Sequence, residues 1–476
     1  MTSDHADLAF LGASRLAAMV RERKVSPVEL VRVYLERIAR LDGRLRAYIT
    51  VLHDAALDRA RRAEAAVMRG GALPPLHGIP YAVKDQFDTA GVLTTVGSRL
   101  LETNVPNESA TTIARLDAAG GILLGKLNLT EFALGGTQRF PFGQPRNPWN
   151  LDHDPGGSSS GSGIAVAAGL CAASLGEDTG GSVRSPASWC GVVGLRPTWS
   201  RVSRHGCFPL SWSMDTPGPI TRTVEDATVL LQAIAGHDSR DRLSSRRPVP
   251  EYARALSEGV RGLRVGIVRE LTFGTETDAE VRGAVVAAAR SLEGLGALTD
   301  ETSLPRLALA GAIFMALADA DGAGLHHRWL RTRPMDYDQG TRRRLLTASL
   351  IPAAVQQRAA RARAALRAEM YDALTRYDLL LCPTAHQAAP PIAAGQAMIT
   401  ARGQVAGRFF TRRSYVTPAA LARTPAIALP CGFTRSGLPI GLQLIARPFE
   451  EATLLRAAHA YEQQSDWWRR RPPDAA

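Results

Sequence analysis

An α/β fold is expected, with a mixed, largely parallel central sheet covered by helices on both faces and a helical layer at the N-terminus. Three observations carry this. A capped amphipathic helix opens the chain, short apolar runs alternate with helical stretches from Gly78 onward, and strand signals recur on both sides of every break. The 476 residues, 45% hydrophobic and 21% charged, are enough for a large core.

In chain order, Ser26-Pro27-Val28-Glu29 is a capping box with proline at the first helical position. It starts a helix running to about Leu41, with Val28, Val31, Leu35 and Ile38 on one face. A second helix covers His53 to Arg69. Tyr81-Ala82-Val83, Ile122-Leu123-Leu124 and Leu263 to Val268 read as buried strands, with helices at Thr111 to Ala119 and Asp278 to Leu292 between them. The Ala/Arg-rich stretch from Arg342 to Arg376 is helical, with a break expected at Pro352. Strands return at Leu379-Leu380-Leu381, Ala426 to Leu429 and Ile440 to Ile445. Only Gly236 to Pro250 reads as a surface linker. Residues 1–476 are therefore expected to form one domain, with residues 1–70 as N-terminal helices and a helical region at about 310–376 lining a pocket.

Composition removes several function classes. No uninterrupted run of about 18 apolar residues appears, so no membrane span is expected. The start, Met1-Thr2-Ser3-Asp4-His5, lacks the pattern of a secretory signal, which predicts a cytoplasmic protein. The five cysteines are scattered without a C-x-x-C, and the histidines show no ligand spacing, so neither a disulfide framework nor a metal site is expected. The net charge of +12 comes from dispersed arginines. Arg342-Arg343-Arg344 and Arg469-Arg470-Arg471 are short and lack interleaved aromatics, which reads as a solvated basic surface.

Lysine is informative because it is scarce. Of 57 basic residues only Lys24, Lys84 and Lys126 are lysines. Arginine keeps its proton in a protein, whereas a desolvated lysine can act as a base. Lys24 lies in a charged run and reads as chance retention. Lys84 follows the apolar run Tyr81-Ala82-Val83 and should end inside the molecule. Asp85 should point to the opposite face.

Two glycine-rich loops carry the candidate chemistry. Gly156-Gly157-Ser158-Ser159-Ser160-Gly161-Ser162-Gly163 runs into an apolar helix, and Glu177-Asp178-Thr179-Gly180-Gly181-Ser182-Val183-Arg184 follows. The glycines before Ser182 leave N–H groups unobstructed, as oxyanion stabilisation requires. A phosphate loop would need a lysine after these glycines, and none is there. Gly157 to Gly161 matches the G-x-S-x-G nucleophile elbow, with Ser159 as nucleophile, but it follows a polar turn where an elbow follows a buried strand. A serine pair activated by a lysine uses both loops and accounts for Lys84.

The segment from Ser158 to Ser182 resembles the signature of the amidase signature family. So do Gly78-Ile79-Pro80-Tyr81-Ala82-Val83-Lys84-Asp85 with Gly91 and Thr94-Thr95, Leu124 to Asn128 with Glu131-Phe132-Ala133, Cys190 to Thr198, and Gly437 to Gln443. The resemblance covers roughly residues 25 to 460. It implies the amidase signature fold and a Ser–cis-Ser–Lys triad, with Ser182 as nucleophile, Ser158 as relay and Lys84 as base. The implied oxyanion donors are the N–H groups of Thr179, Gly180, Gly181 and Ser182. Gly157, Ser159, Asp178 and Arg184 support the loops, Lys126 is structural, and no metal or cofactor is implied.

Glu177 and Ser160 depart from the family pattern, where a small polar residue and a glycine are usual, and both are expected to narrow the pocket. Ala420-Leu421-Ala422-Arg423-Thr424 also departs, at a loop that could line the acyl pocket. Pocket walls are expected from Thr137 to Phe142, His205 to Met214 and the helical region after Leu309. Between Asp378 and Glu450 there is no carboxylate and there are seven arginines, which suits a neutral or anionic substrate better than glutamine. The expected function is hydrolysis of a small amide or carbamate, as in a urethanase. A glutamine-hydrolysing A subunit of a tRNA amidotransferase comes second, and a non-catalytic basic interaction protein third. The expected partners are a small-molecule amide or carbamate substrate, no nucleic acid and no membrane, with a homodimer as the candidate assembly.

Overall fold

The structure, a computed structural model, describes residues 7–396 and 412–473. Two helices, α1 (Ala13–Arg21) and α2 (Pro27–Leu45), open the described chain. The capping box closes as its residues dictate: the Ser26 side chain accepts the N–H groups of Val28 and Glu29, and Pro27 occupies the first turn. Strand β1 (Tyr48–Val51) leads into α3 (His53–Arg69), which packs against α2.

The strands that follow are β2 (Pro80–Lys84), β3 (Ile122–Leu127), β4 (Ala173–Glu177), β5 (Val193–Arg196), β6 (Pro217–Thr221), β7 (Arg264–Val268), β8 (Leu298–Thr302), β9 (Leu379–Pro383), β10 (Ala426–Phe433) and β11 (Pro439–Ala446). They form one eleven-stranded sheet in the order β1-β3-β2-β4-β6-β5-β10-β11-β9-β7-β8. Every residue of β2, β3 and β4 is buried, as their near-continuous apolar runs require of strands covered on both faces. The mixed α/β sheet is the expected one, but its balance differs. Four pairings are parallel, around β2 and β7, and six are antiparallel. The hairpin β10–β11 and the reversals at β5 and β6 supply the antiparallel majority, because short apolar runs do not reveal strand direction.

Between β3 and β4 lies α4 (Ser160–Ala167), and between β4 and β5 lies α5 (Arg184–Cys190). The two helices pack together, and α5 also packs on β5, β10 and β11. Further along come α6 (Val224–Ile234), α7 (Ala279–Gly294), α8 (Ala310–Phe314), α9 (Ala320–Thr332), α10 (Gln339–Ala348), α11 (Ala353–Arg376), α12 (Arg412–Ala422) and α13 (Glu451–Gln463). The helix break falls between α10 and α11, with Pro352 capping the second. By length and hydropathy the helical stretch Pro305–Thr332 could cross a bilayer, although its uninterrupted apolar run, Leu307 to Ala318, falls short of the roughly 18 residues a span needs. Half of its most apolar window is packed inside the molecule, as in a core helix. Within it Ile313, Phe314 and Ala318 join a buried cluster with Met214, Leu366, Tyr415 and Leu421.

Candidate active site

The carboxyl ends of the parallel strands β2 and β4 lie side by side, and the site is built where they stop. Lys84 is the last residue of β2 and is fully buried. Its amine lies 2.7 Å from the Ser158 hydroxyl and 3.4 Å from the carbonyl of Glu177, the last residue of β4. Ser158 is 2% exposed and stands just before α4, and its peptide bond with Gly157 is cis. Ser182 stands just before α5 and is only half-buried, so its hydroxyl is the reachable one of the two. The loops are stitched together through the backbone, since the Ser159 N–H donates to the Ser182 carbonyl at 3.3 Å. The structure thus brings Lys84 and Ser158 into hydrogen-bond contact, and ties Ser182 through its carbonyl to the residue after Ser158.

Ser159 is excluded as a nucleophile by its surroundings. It is fully buried, its hydroxyl lies 3.3 Å from the Glu177 carbonyl, and the segment before it is irregular instead of a strand. The neighbouring Ser160 hydroxyl donates to the Gly156 carbonyl at 2.6 Å. Ser160 therefore pins the loop and does not narrow a pocket.

Asp178 organises the loop before Ser182. Its carboxylate accepts the N–H of Gly181 at 2.8 Å and of Val183 at 3.3 Å, and pairs with the guanidinium groups of Arg184 and Arg196, each at 3.0 Å. Burial alone would lift its pKa, but the two arginines and their hydrogen bonds together hold it well below the usual carboxylate range. This corrects one expectation, because the Gly181 N–H points at Asp178 and not at an oxyanion. Thr179, Gly180 and Ser182 remain as the N–H groups of the loop. Arg184 is held in turn by Gln443 of β11 at 2.9 Å, which gives a structural role to the distant segment Gly437 to Gln443.

The glycines are dictated by close approach. A Cβ on Gly180 would collide with the Phe314 ring, and one on Gly181 would collide with Val416, where φ is also +111°. Phe314, from the helical region after Leu309, thus abuts the loop. The segment Thr137 to Phe142 contributes to another feature of the surface. Its Gln138, Arg139 and Phe140 border a separate surface cavity of about 540 Å³ that neither Lys84, Ser158 nor Ser182 reaches.

Glu177 is the residue the sequence misplaced. It is fully buried and turns to Lys84, with a carboxyl oxygen 3.7 Å from the amine. Burial pushes the Lys84 amine down from its ordinary value, and Glu177 partly opposes that shift. Among the described residues, no group of three or more His, Cys, Asp and Glu side chains could hold a metal ion.

Comparison with known proteins places these residues among relatives. The family model described as Amidase matches residues 29–455. The A subunit of glutamyl-tRNA(Gln) amidotransferase from Moorella thermoacetica is 40% identical, covering 98% of this chain and 99% of that protein. A solved structure described as a vestigial protein complex bearing on the origins of an s-triazine catabolic enzyme is 33% identical, with a TM-score of 0.88 over 96% of this chain and 99% of that one. The peptide amidase of Stenotrophomonas maltophilia is 31% identical, with a TM-score of 0.83 over 97% of this chain and 98% of that one. The Moorella protein is named for a tRNA and as one subunit of an amidotransferase. That finding overturns the expectation of a small-molecule partner alone with no nucleic acid.

Proposed function

The chain belongs to the amidase family, and from that premise we propose that it hydrolyses a carboxamide through an acyl-enzyme on Ser182. One observation carries the reading: a fully buried lysine amine 2.7 Å from a buried serine hydroxyl, beside a loop whose own serine is only half-buried. Neutral Lys84 takes the Ser158 proton while Ser158 takes that of Ser182, and Ser182 Oγ adds to the carbonyl carbon. Backbone N–H groups of Thr179, Gly180 and Ser182 receive the oxyanion. The C–N bond breaks as Ser158 returns a proton to the leaving nitrogen. Water then attacks the ester by the same proton path, giving a carboxylic acid and free Ser182. Gly157, Ser159, Asp178 and Arg184 hold the two loops in this arrangement.

The finer reading favoured by the relatives is a glutamine-hydrolysing A subunit that releases ammonia for transfer to an aminoacyl-tRNA. Full-length similarity to several proteins of that name supports it. A second reading, a stand-alone amidase or carbamate hydrolase, is favoured by the charges near the loop. Arg413 lies over the Phe314 ring at 5.7 Å, and Asp319, which could receive an ammonium group, is already paired with Arg344. Ammonia release by the purified chain should be measured with glutamine, aryl amides and carbamates, alone and with added amidotransferase components. Glutamine turnover that depends on those components is expected. Turnover of amides or carbamates with none of glutamine would replace the first reading by the second.

A further inference from the structure

Behind Lys84 a single hydroxyl stands between two buried carboxyl groups. Thr179 Oγ1 lies 3.1 and 3.3 Å from the two carboxyl oxygens of Glu177, and 2.8 Å from Oδ1 of Asp215. Glu177, Thr179 and Asp215 are all buried. A threonine hydroxyl has one proton to give. Between two ionised carboxylates it could serve only one, and its lone pairs would face the charge of the other. Two like charges this close in a dry site do not both persist. If one carboxyl keeps its proton, the chain closes: the acid donates to Thr179, and Thr179 donates to the remaining carboxylate.

The surroundings can hold either arrangement. Asp215 accepts the N–H groups of Leu210 and Ser211 at 2.8 and 2.9 Å, and Glu177 accepts that of Thr216 at 3.3 Å. Lys84 faces Glu177 from β2 at 3.7 Å. The other titratable groups facing the pair are Asp178, neutralised by Arg184 and Arg196, and Cys207, whose thiol burial keeps protonated. Burial lifts both carboxyls, and with Glu177 beside it Asp215 rises to about 8.

We propose that Glu177 and Asp215 share one proton across Thr179, and that this pair positions Lys84 and sets the proton affinity of its amine. The inference rests on Lys84 being the base of the reading above. Glu177 is then a positioning residue, acting through Lys84 and not on substrate. The negative charge of the pair strengthens the hold of Lys84 on its proton when it sits on Glu177, and weakens that hold when it moves to Asp215. Since Thr179 belongs to the loop before Ser182, the same link ties the base to the oxyanion donors.

The test is the rate of covalent labelling of Ser182 by a fluorophosphonate, followed against pH. Labelling should rise with pH along a limb set by Lys84. Glu177→Gln removes the nearer charge and should move that limb down by about 1 pH unit. Asp215→Asn confines the charge to Glu177 and should move it up by a similar amount. Limbs that coincide with the parent's, or that shift in the same direction, overturn the inference. Should Asp215→Asn fail to fold, infrared difference spectra of the parent against Glu177→Gln at neutral pH decide. A carboxylic-acid carbonyl band present only in the parent supports a shared proton, and its absence refutes one. A parent whose Ser182 is not labelled defeats the reading of the site as well, whereas a labelled parent with unmoved limbs defeats this inference alone.

Discussion

Two lysines leave neighbouring parallel strands and end in the interior, Lys84 from β2 and Lys126 from β3. Both are fully buried, and burial pushes both amines down from the ordinary lysine value. Their register separates them: Val83 is the partner of Lys126 and Lys84 that of Leu127, so strand alternation sends the two amines to opposite faces of the sheet. On one face Lys126 meets the Asp85 carboxylate at 3.0 Å, the Phe87 carbonyl at 2.7 Å and the Thr94 hydroxyl at 2.7 Å. Those three acceptors match the three protons of an ammonium. On the other face Lys84 has a hydroxyl at 2.7 Å, a carbonyl at 3.4 Å and a carboxyl no nearer than 3.7 Å. On the proposed reading, equal burial leaves Lys126 held as a cation by its three acceptors and Lys84 free to act as the base. The partners decide, not the depth.

This contrast can be broken experimentally. The largest effect is expected at Lys84, where Lys84→Arg should be as damaging as Lys84→Ala, each lowering the rate of Ser182 labelling or of amide hydrolysis by at least about 10³-fold. An arginine variant with near-parental rates would mean that Lys84 works as a cation, as Lys126 does. Lys126→Met strands Asp85 without its partner and should cost about 3–5 kcal/mol in denaturant unfolding, with labelling per folded molecule preserved. Lys84→Met, by contrast, should stay within about 1 kcal/mol of the parent in the same measurement, because Glu177 can take up a proton from its shared pair. Next in size is the pH dependence. Protonated Lys84 is inactive, and its pKa is lowered by burial, so the rate should rise about tenfold per unit below that pKa and level off above it. A rate that falls with rising pH through that range would contradict a lysine base. The smallest expected effect is none: a chelator should leave hydrolysis unchanged, as measured before and after dialysis against it.

The two lysines also show what a sequence can reveal. Lys84 is visible because so few lysines exist to choose from and because an apolar strand leads into it, and the glycines before Ser158 and Ser182 mark the loops. The helix at Ser26 is legible because capping is local chemistry. Glu177 is not legible as a partner of Lys84. Its environment depends on the register Glu177↔Pro217 between β4 and β6, which brings Asp215 and Thr216 alongside from far along the chain. Arg344 reads as solvated with its neighbours, yet it is 11% exposed and paired with Asp319, 25 residues earlier on another helix. Arg423 belongs to a departing loop, and it stacks 4.1 Å over Trp199. Arg402 and Arg408, in the same arginine-rich stretch, lie outside the described residues. Strand direction is hidden for the same reason, since apolar alternation fixes which face is buried and not which way the neighbour runs.

Phe314 and Val416 press against Gly180 and Gly181 from elements far along the chain, so the segment ahead of Ser182 takes its shape from packing as well as from its own glycines. Both side chains are buried, and shortening either would open a void against that segment and loosen the backbone that positions Ser182. Restoring its fit would then take a second exchange that refills the vacated space from a different direction.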